Sequence, residues 1–213
     1  MLDHVFDWPP MSAHPDIEHP PGMTDDFPVL LGDRVRLRGY RPEDLHDFYA
    51  VHSDPRVMRY WSFPAWTEIS QSYEYFASAI QGRDPNARLC WAITDRDNDR
   101  VMGGTTLFSN NLSQGRAEIG YVLGHAHWGQ GYAQEALRLV IDYTFDVMGF
   151  RRIEADIDPR NVGSCTLAER LGFVREGLLR ERWIVADEVQ DAAIYGLLKR
   201  DWHARRGDAL LGK

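Results

Sequence analysis

The stretch Trp128-Gly129-Gln130-Gly131-Tyr132-Ala133 stands between a strand-like run and an amphipathic helix. Before it, Ala117-Glu118-Ile119-Gly120-Tyr121-Val122-Leu123 carries the β-branched and aromatic residues of a strand. After it, Ala133, Ala136, Leu137, Val140, Ile141, Phe145 and Met148 recur at helical spacing, and Gly149 follows where a C-cap glycine is expected. A glycine-rich turn at a helix N-terminus aims free backbone N–H groups at one point and adds the positive end of the helix dipole. That geometry binds phosphate without a basic side chain. Two glycines also fit an ordinary strand-to-helix turn, so the flanking sequence must decide.

Downstream, Arg152-Ile153-Glu154-Ala155-Asp156-Ile157 alternates as a strand and Pro159 ends it. Asn161 is placed to N-cap a short helix whose stripe is Ser164, Leu167, Ala168 and Leu171, closed by Gly172. The order is then strand, glycine loop, long helix, strand, Asn-capped helix, Leu171-Gly172-Phe173, strand. In these features the chain resembles the GCN5-related N-acetyltransferase superfamily. Its acetyl-CoA loop reads Gln/Arg-x-x-Gly-x-Gly/Ala, and Gly131 and Ala133 match the last two fixed positions. Asn161-x-x-Ser164 followed by Leu171-Gly172-Phe173 matches a second family motif. The branch most resembled is that of the ribosomal-protein N-terminal (alanine/serine) acetyltransferases, and the resemblance spans roughly Val29 to Trp202.

The resemblance implies an α/β fold with a mixed, mostly antiparallel central sheet, helices on both faces, splayed at the acetyl-CoA site. It implies an acetyl-CoA-dependent N-acetyltransferase acting on a primary amine, a protein N-terminus or a small molecule, by direct attack in a ternary complex. Acetyl transfer needs a donor for the oxyanion. The resemblance supplies it from the main chain of Tyr121, Val122 and Leu123, whose side chains can then be plain core. Gly129, Gln130, Gly131, Tyr132, Ala133 and Asn161 complete the expected cofactor site. Trp128 occupies the usual Gln/Arg position, a contact that Gln130 could supply instead. Glu118, three residues before Tyr121, is the candidate base for the amine proton; a solvent-facing carboxylate fits the same position. Many superfamily members carry a tyrosine seven residues after the motif asparagine, where this chain has Ala168. Ser164 is the remaining candidate near the leaving sulfur, as a hydrogen-bond donor more than a formal acid. Tyr60, Trp61 and Asp191 are candidates for the acceptor side; aromatic core explains the first two better, and a hairpin-start aspartate explains the third equally well.

Composition bounds the alternatives. The chain has 213 residues, 44% apolar and 26% charged, which suits one globular enzyme domain. A net charge of −8 argues against a nucleic-acid surface and is compatible with a cationic substrate. Two cysteines, Cys90 and Cys165, give neither a disulfide framework nor a zinc site, and no metal is expected. No apolar run reaches membrane-spanning length and no signal-peptide pattern opens the chain, so the expected location is the cytoplasm, with no membrane partner. A homodimer is compatible with all of this. A P-loop enzyme fails for want of its Gly-Lys-Ser/Thr signature, and a dinucleotide fold for want of the third glycine. A non-catalytic acetyl-CoA-binding module stays open, since Ala168 removes a usual catalytic group and leaves the loop intact.

Along the chain, six prolines in the first 28 residues make 1–28 a non-helical arm, disordered or an extended strap packed by Val5, Phe6 and Trp8. The acetyltransferase domain is expected over 29–205 and a tail over 206–213. Val35-Arg36-Leu37-Arg38 begins a first strand, helices follow over Pro42–Val51 and Ser70–Ile80, and Leu89–Ile93 pairs with Val101–Leu107 across an Asp97-Asn98-Asp99 turn. Asp191–Leu197 is the last strand.

Overall fold

The computed structural model describes residues 27–210. Val5, Phe6 and Trp8 of the expected arm lie outside the described residues. Short β1 (Leu30–Leu31) precedes β2 (Val35–Gly39), and a 3-10 turn at Pro42–Asp44 leads into α1 (Leu45–His52). One turn of helix, α2 (Pro55–Met58), is N-capped by the Asp54 carboxylate, which accepts from Arg56 N at 2.9 Å. A second 3-10 turn, Ile69–Ser72, opens α3 (Tyr73–Gln81). Then come β3 (Arg83–Asp84), β4 (Arg88–Asp95), β5 (Val101–Asn111) and β6 (Arg116–Leu123). The glycine loop starts α4 (Tyr132–Asp142), followed by β7 (Arg152–Ile157), α5 (Val162–Leu171), β8 (Val174–Val185), β9 (Glu188–Leu198) and α6 (Lys199–Leu210). The last helix runs on past 206, where the sequence pattern places the start of a tail.

The strands form one sheet in the order β1-β2-β4-β5-β6-β7-β9-β8, with β3 also on β4. Every pairing is antiparallel except β6 with β7. That parallel pairing holds only through Arg116↔Arg152, Ala117↔Ile153 and Glu118↔Glu154. Beyond Glu118 each strand keeps its outer neighbour, β5 or β9, and the two part. This is the expected splay.

Alternation assigns the faces. One face carries Leu37, Trp91, Leu107, Ile119, Ile153 and Tyr195 against Leu137, Val140 and Ile141 of α4, Ala168 and Leu171 of α5, and Trp202 of α6. The other carries Tyr40, Cys90 and Ala92 against Phe48 of α1 and Phe76 and Ala79 of α3. Over β7 that second face carries the half-buried Arg152, Glu154 and Asp156, and over β9 it carries Ala192, Ile194 and Leu198. Among the described residues no helix is long and apolar enough to cross a membrane.

Three local readings differ. The long helix is α-helical only to Asp142; Tyr143–Val147 is a π-helical turn before Gly149 at φ +73°. Thr144 Oγ1 donates back to Val140 O at 2.7 Å and Lys199 takes Phe145 O, side-chain competition that widens a helix. In β2, Arg38 is no solvent-facing residue: 4% exposed, it pairs bidentately with buried Asp44 at 2.7 and 2.9 Å and reaches Asp99. The helix at Ser70–Ile80 begins as the 3-10 turn and ends at Gln81.

His52 sits buried among Phe48, Phe63, Trp66 and Tyr75, with Nδ1 on Phe48 O at 2.9 Å. Burial pushes its pKa from 6.5 down to about 4. The folded protein therefore binds fewer protons than the unfolded chain between those values, and stability falls as pH drops through that window, by up to about 3 kcal/mol. Chemical denaturation of wild type and His52→Leu at pH 7 and pH 4 should show a shallower loss in the variant. Parallel losses would remove His52 from the acid response.

Candidate active site

Gly129 and Gly131 both hold positive φ, +69° and +84°, and Gly131 is the N-cap of α4 with no side-chain cap of its own. Such values favour glycine, and a Cβ at Gly129 would meet only open space, so the requirement there is conformational. The first amides of α4 are left for a ligand. Arg34 braces the loop from outside. Its Nη1 donates to Gln130 O at 2.9 Å, its guanidinium lies 4.7 Å from the Tyr132 ring centroid, and its Nε donates to Glu135 Oε2 at 3.0 Å. Glu135, in the first turn of α4, also accepts from Arg34 N at 2.7 Å. Sequence reasoning missed this pair. The one local signal is an acidic residue in a first helical turn.

The loop opens on a cavity of about 510 Å³ between β6, α2 and the start of α5. Tyr121, Val122, Leu123, Gly129, Gly131, Tyr132, Ala133 and Asn161 line it, as do Ser164, Tyr60 and Trp61. Gln130 does not; its amide donates to Ala126 O at 2.8 Å. Trp128 lines the cavity with its indole tied to the strand, Nε1 donating to Leu123 O at 2.7 Å. Gly124 N donates to Met102 O at 2.8 Å. The antiparallel alternation then turns the main-chain groups of Tyr121 and Leu123 away from β5 and into the splay. An open cradle of loop amides, continued by these strand amides, fits the pyrophosphate and amide-rich arm of acetyl-CoA.

Asn161 Oδ1 accepts from Ser164 N at 3.2 Å, the expected cap. Ala168 is 2% exposed, in the core beneath α5. Tyr121 departs from the plain-core reading of its side chain: its Oη lies 2.7 Å from Ser164 Oγ and 3.3 Å from Ser164 O, at the cavity wall. A tyrosine three residues beyond a candidate base looked like strand filler. Its partner lies 43 residues away.

Glu118 does not line this cavity. It projects from the opposite face of β6 to Tyr121, at the last parallel pair before the splay. Burial, and then the nearby carboxyls of Asp156 and Glu154, raise its pKa above the ordinary 4.5. Burial likewise raises Asp156, against the pull of Trp183 Nε1, which donates to Asp156 Oδ2 at 3.2 Å. The Tyr60 ring has Arg59 and Arg160 at 5.2 and 5.7 Å from its centroid, and both guanidiniums pair with Glu188 at the start of β9. Trp61 Nε1 is buried without a hydrogen-bond partner among the described residues. The Trp61 ring lies at the edge of the aromatic cluster of Phe63 and Trp66 around His52. Asp191 is not at the cavity: its Oδ1 accepts from Glu181 N at 2.8 Å, where β8 bulges and Glu181 takes φ +54°. Cys165 is half-buried, with Sγ 3.9 Å from Asp158 O.

Comparison with known proteins bears on the same residues. A family model described as the acetyltransferase (GNAT) domain matches residues 34–174. The uncharacterized N-acetyltransferase p20 of Bacillus licheniformis is 33% identical over 174 residues, covering 82% of this chain and 98% of that protein. A GCN5-related N-acetyltransferase from Brucella melitensis superposes with a TM-score of 0.75 at 26% identity, over 84% of this chain and 82% of its own. The spermidine N-acetyltransferase of Vibrio cholerae, solved in complex with CoA and spermine, superposes with a TM-score of 0.70 at 22% identity, over 81% and 99%.

Proposed function

This chain belongs to the acetyltransferase (GNAT) family and is an acyltransferase, and from that premise we propose that it acetylates a primary amine of a small cationic molecule. The observation that carries the acceptor class is the group of half-buried carboxyls, Glu118, Glu154 and Asp156, which share one face of the sheet beside the splay. Burial and the carboxyls of Asp156 and Glu154 raise Glu118 against the opposing pull of Arg182 and Arg116, and a bound ammonium adds to that pull. The overall charge of −8 favours the same acceptor, and the spermine complex of the Vibrio cholerae relative is consistent with it. The family uses acetyl-CoA, which supplies an activated thioester. In this reading both substrates are held at once, and the catalytic unit is the segment 29–205.

The chain's own groups divide the work. The amides of Gly129 to Ala133 hold the pyrophosphate, and Asn161 with the main chain of Tyr121 and Leu123 holds the arm that follows. The amide in the splay stabilises the developing oxyanion. Glu118, directly or through water, takes the amine proton, which a primary ammonium keeps at neutral pH. Ser164 donates a hydrogen bond to the departing sulfur. Tyr60 and Trp61 wall the entry.

Thiol release from acetyl-CoA with polyamines, free amino acids and N-terminal peptides as acceptors tests the assignment. Polyamines are expected to turn over at least about tenfold faster in kcat/KM than uncharged-flank peptides, a gap of one or two charge contacts. Preference for peptides would move the acceptor assignment to protein N-termini. Saturable acetyl-CoA binding with no release in any arm would favour the non-catalytic module, the reading that Ala168 in the core keeps open.

A further inference from the structure

We propose that Tyr121 is a positioning residue of the transfer step: its phenol donates to Ser164 Oγ and so turns the serine's own O–H toward the leaving sulfur. The inference rests on the acyl-transfer reading above and adds a side chain to it. Two oxygens 2.7 Å apart share one hydrogen bond, and either could donate; the phenol also reaches Ser164 O, but at 3.3 Å the shorter contact to Oγ is the stronger claim on its proton. Of the two groups the phenol is the stronger acid and so the better donor. Ser164 Oγ has Tyr121 Oη as its one hydrogen-bond partner among the described residues, so a phenol that donates leaves the serine proton free for the cavity both side chains line. Burial pushes the Tyr121 pKa up to about 12, which keeps the phenol protonated across the working range.

The arrangement answers the absence of a tyrosine on α5. A phenol at position 168 would start from the core face of that helix; Tyr121 brings one instead from β6, across the cavity. The proton count stays simple. The amine proton leaves to Glu118 or water, the thiolate departs with the electron pair of the broken carbon–sulfur bond, and Tyr121 keeps its proton throughout. Tyr121 therefore acts through Ser164 and needs no net acid.

Tyr121→Phe deletes the hydroxyl and keeps the ring packed, so it is compared with Ser164→Ala and the double variant. The first readout needs no acceptor: ultraviolet absorbance of the thiolate of bound CoA, titrated with pH. Wild type is expected to hold the bound thiol more acidic than free CoA. Tyr121→Phe should raise it by about one pH unit, Ser164→Ala by at least as much, and the double variant by no more than Ser164→Ala. The second readout is kcat with an active amine, expected to fall about tenfold in Tyr121→Phe with KM for acetyl-CoA unchanged. An unchanged thiol titration, or effects of the two substitutions that simply add, would overturn the proposal. Absence of turnover in wild type with every amine would sink the acyl-transfer reading itself, while the thiol titration still decides whether the pair acts on the sulfur.

Discussion

Glu118→Gln is expected to lower kcat/KM for a high-pKa amine by roughly 10²–10⁴-fold while leaving acetyl-CoA affinity nearly intact. The carboxyl stands at the last parallel pair of β6 and β7, where the sheet opens, on the face of β6 opposite Tyr121. Its pH behaviour follows from its surroundings. Burial and the carboxyls of Asp156 and Glu154 hold its pKa above the ordinary value, so the ionised, proton-accepting form is lost earlier as pH falls. Wild-type activity should therefore decline on the acid side through that raised value. The deficit of the Gln variant should shrink as pH rises and the acceptor deprotonates unaided. A loss that does not vary with pH and comes with a lower melting temperature would assign Glu118 to structure.

Gly131→Val should weaken acetyl-CoA binding by at least about tenfold, because a β-branched residue at φ +84° costs roughly 1–3 kcal/mol and must shift the loop. The added Cβ would also stand 3.2 Å from Arg34 Nη2, so it presses on the brace that positions the Gln130 carbonyl. Gly131→Ala, with a smaller penalty at the same backbone angle, should fall between wild type and valine. Isothermal calorimetry on variants that still unfold cooperatively measures the series. Unchanged affinity in a folded valine variant would mean that the loop amides do not hold the pyrophosphate.

The two predictions draw on different kinds of information. The loop prediction could be written from Trp128 to Ala133 alone, because φ preference, helix capping and the dipole are properties of a few consecutive residues. The structure adds Arg34, which reaches Gln130 across 96 residues of chain. The role given to Glu118 came from the resemblance, and only its surroundings needed the structure. Its place in a strand was readable from alternation, but nothing local says that β7 stops pairing one residue later, or that Asp156 and Glu154 come to share its surroundings.

Alternation, helical spacing and glycine positions determined the elements and their order, and with the two motifs the family fold, because each depends on contacts within a few residues. Even the cap from Asn161 to Ser164 N is of this kind. Tertiary structure decided what those elements bring together. Arg38 sits on an alternating strand yet is buried, since Asp44 and Asp99 arrive to neutralise it. Asp191 takes Glu181 N at a bulge in β8, and Gln130 turns back onto Ala126 O. Tyr121 shows the division most clearly. Its main chain belongs to a strand that any reader of the sequence would draw. Its hydroxyl has a role only because sheet and helix set it against Ser164, and a hydrogen bond selects partners by distance in space, not along the chain.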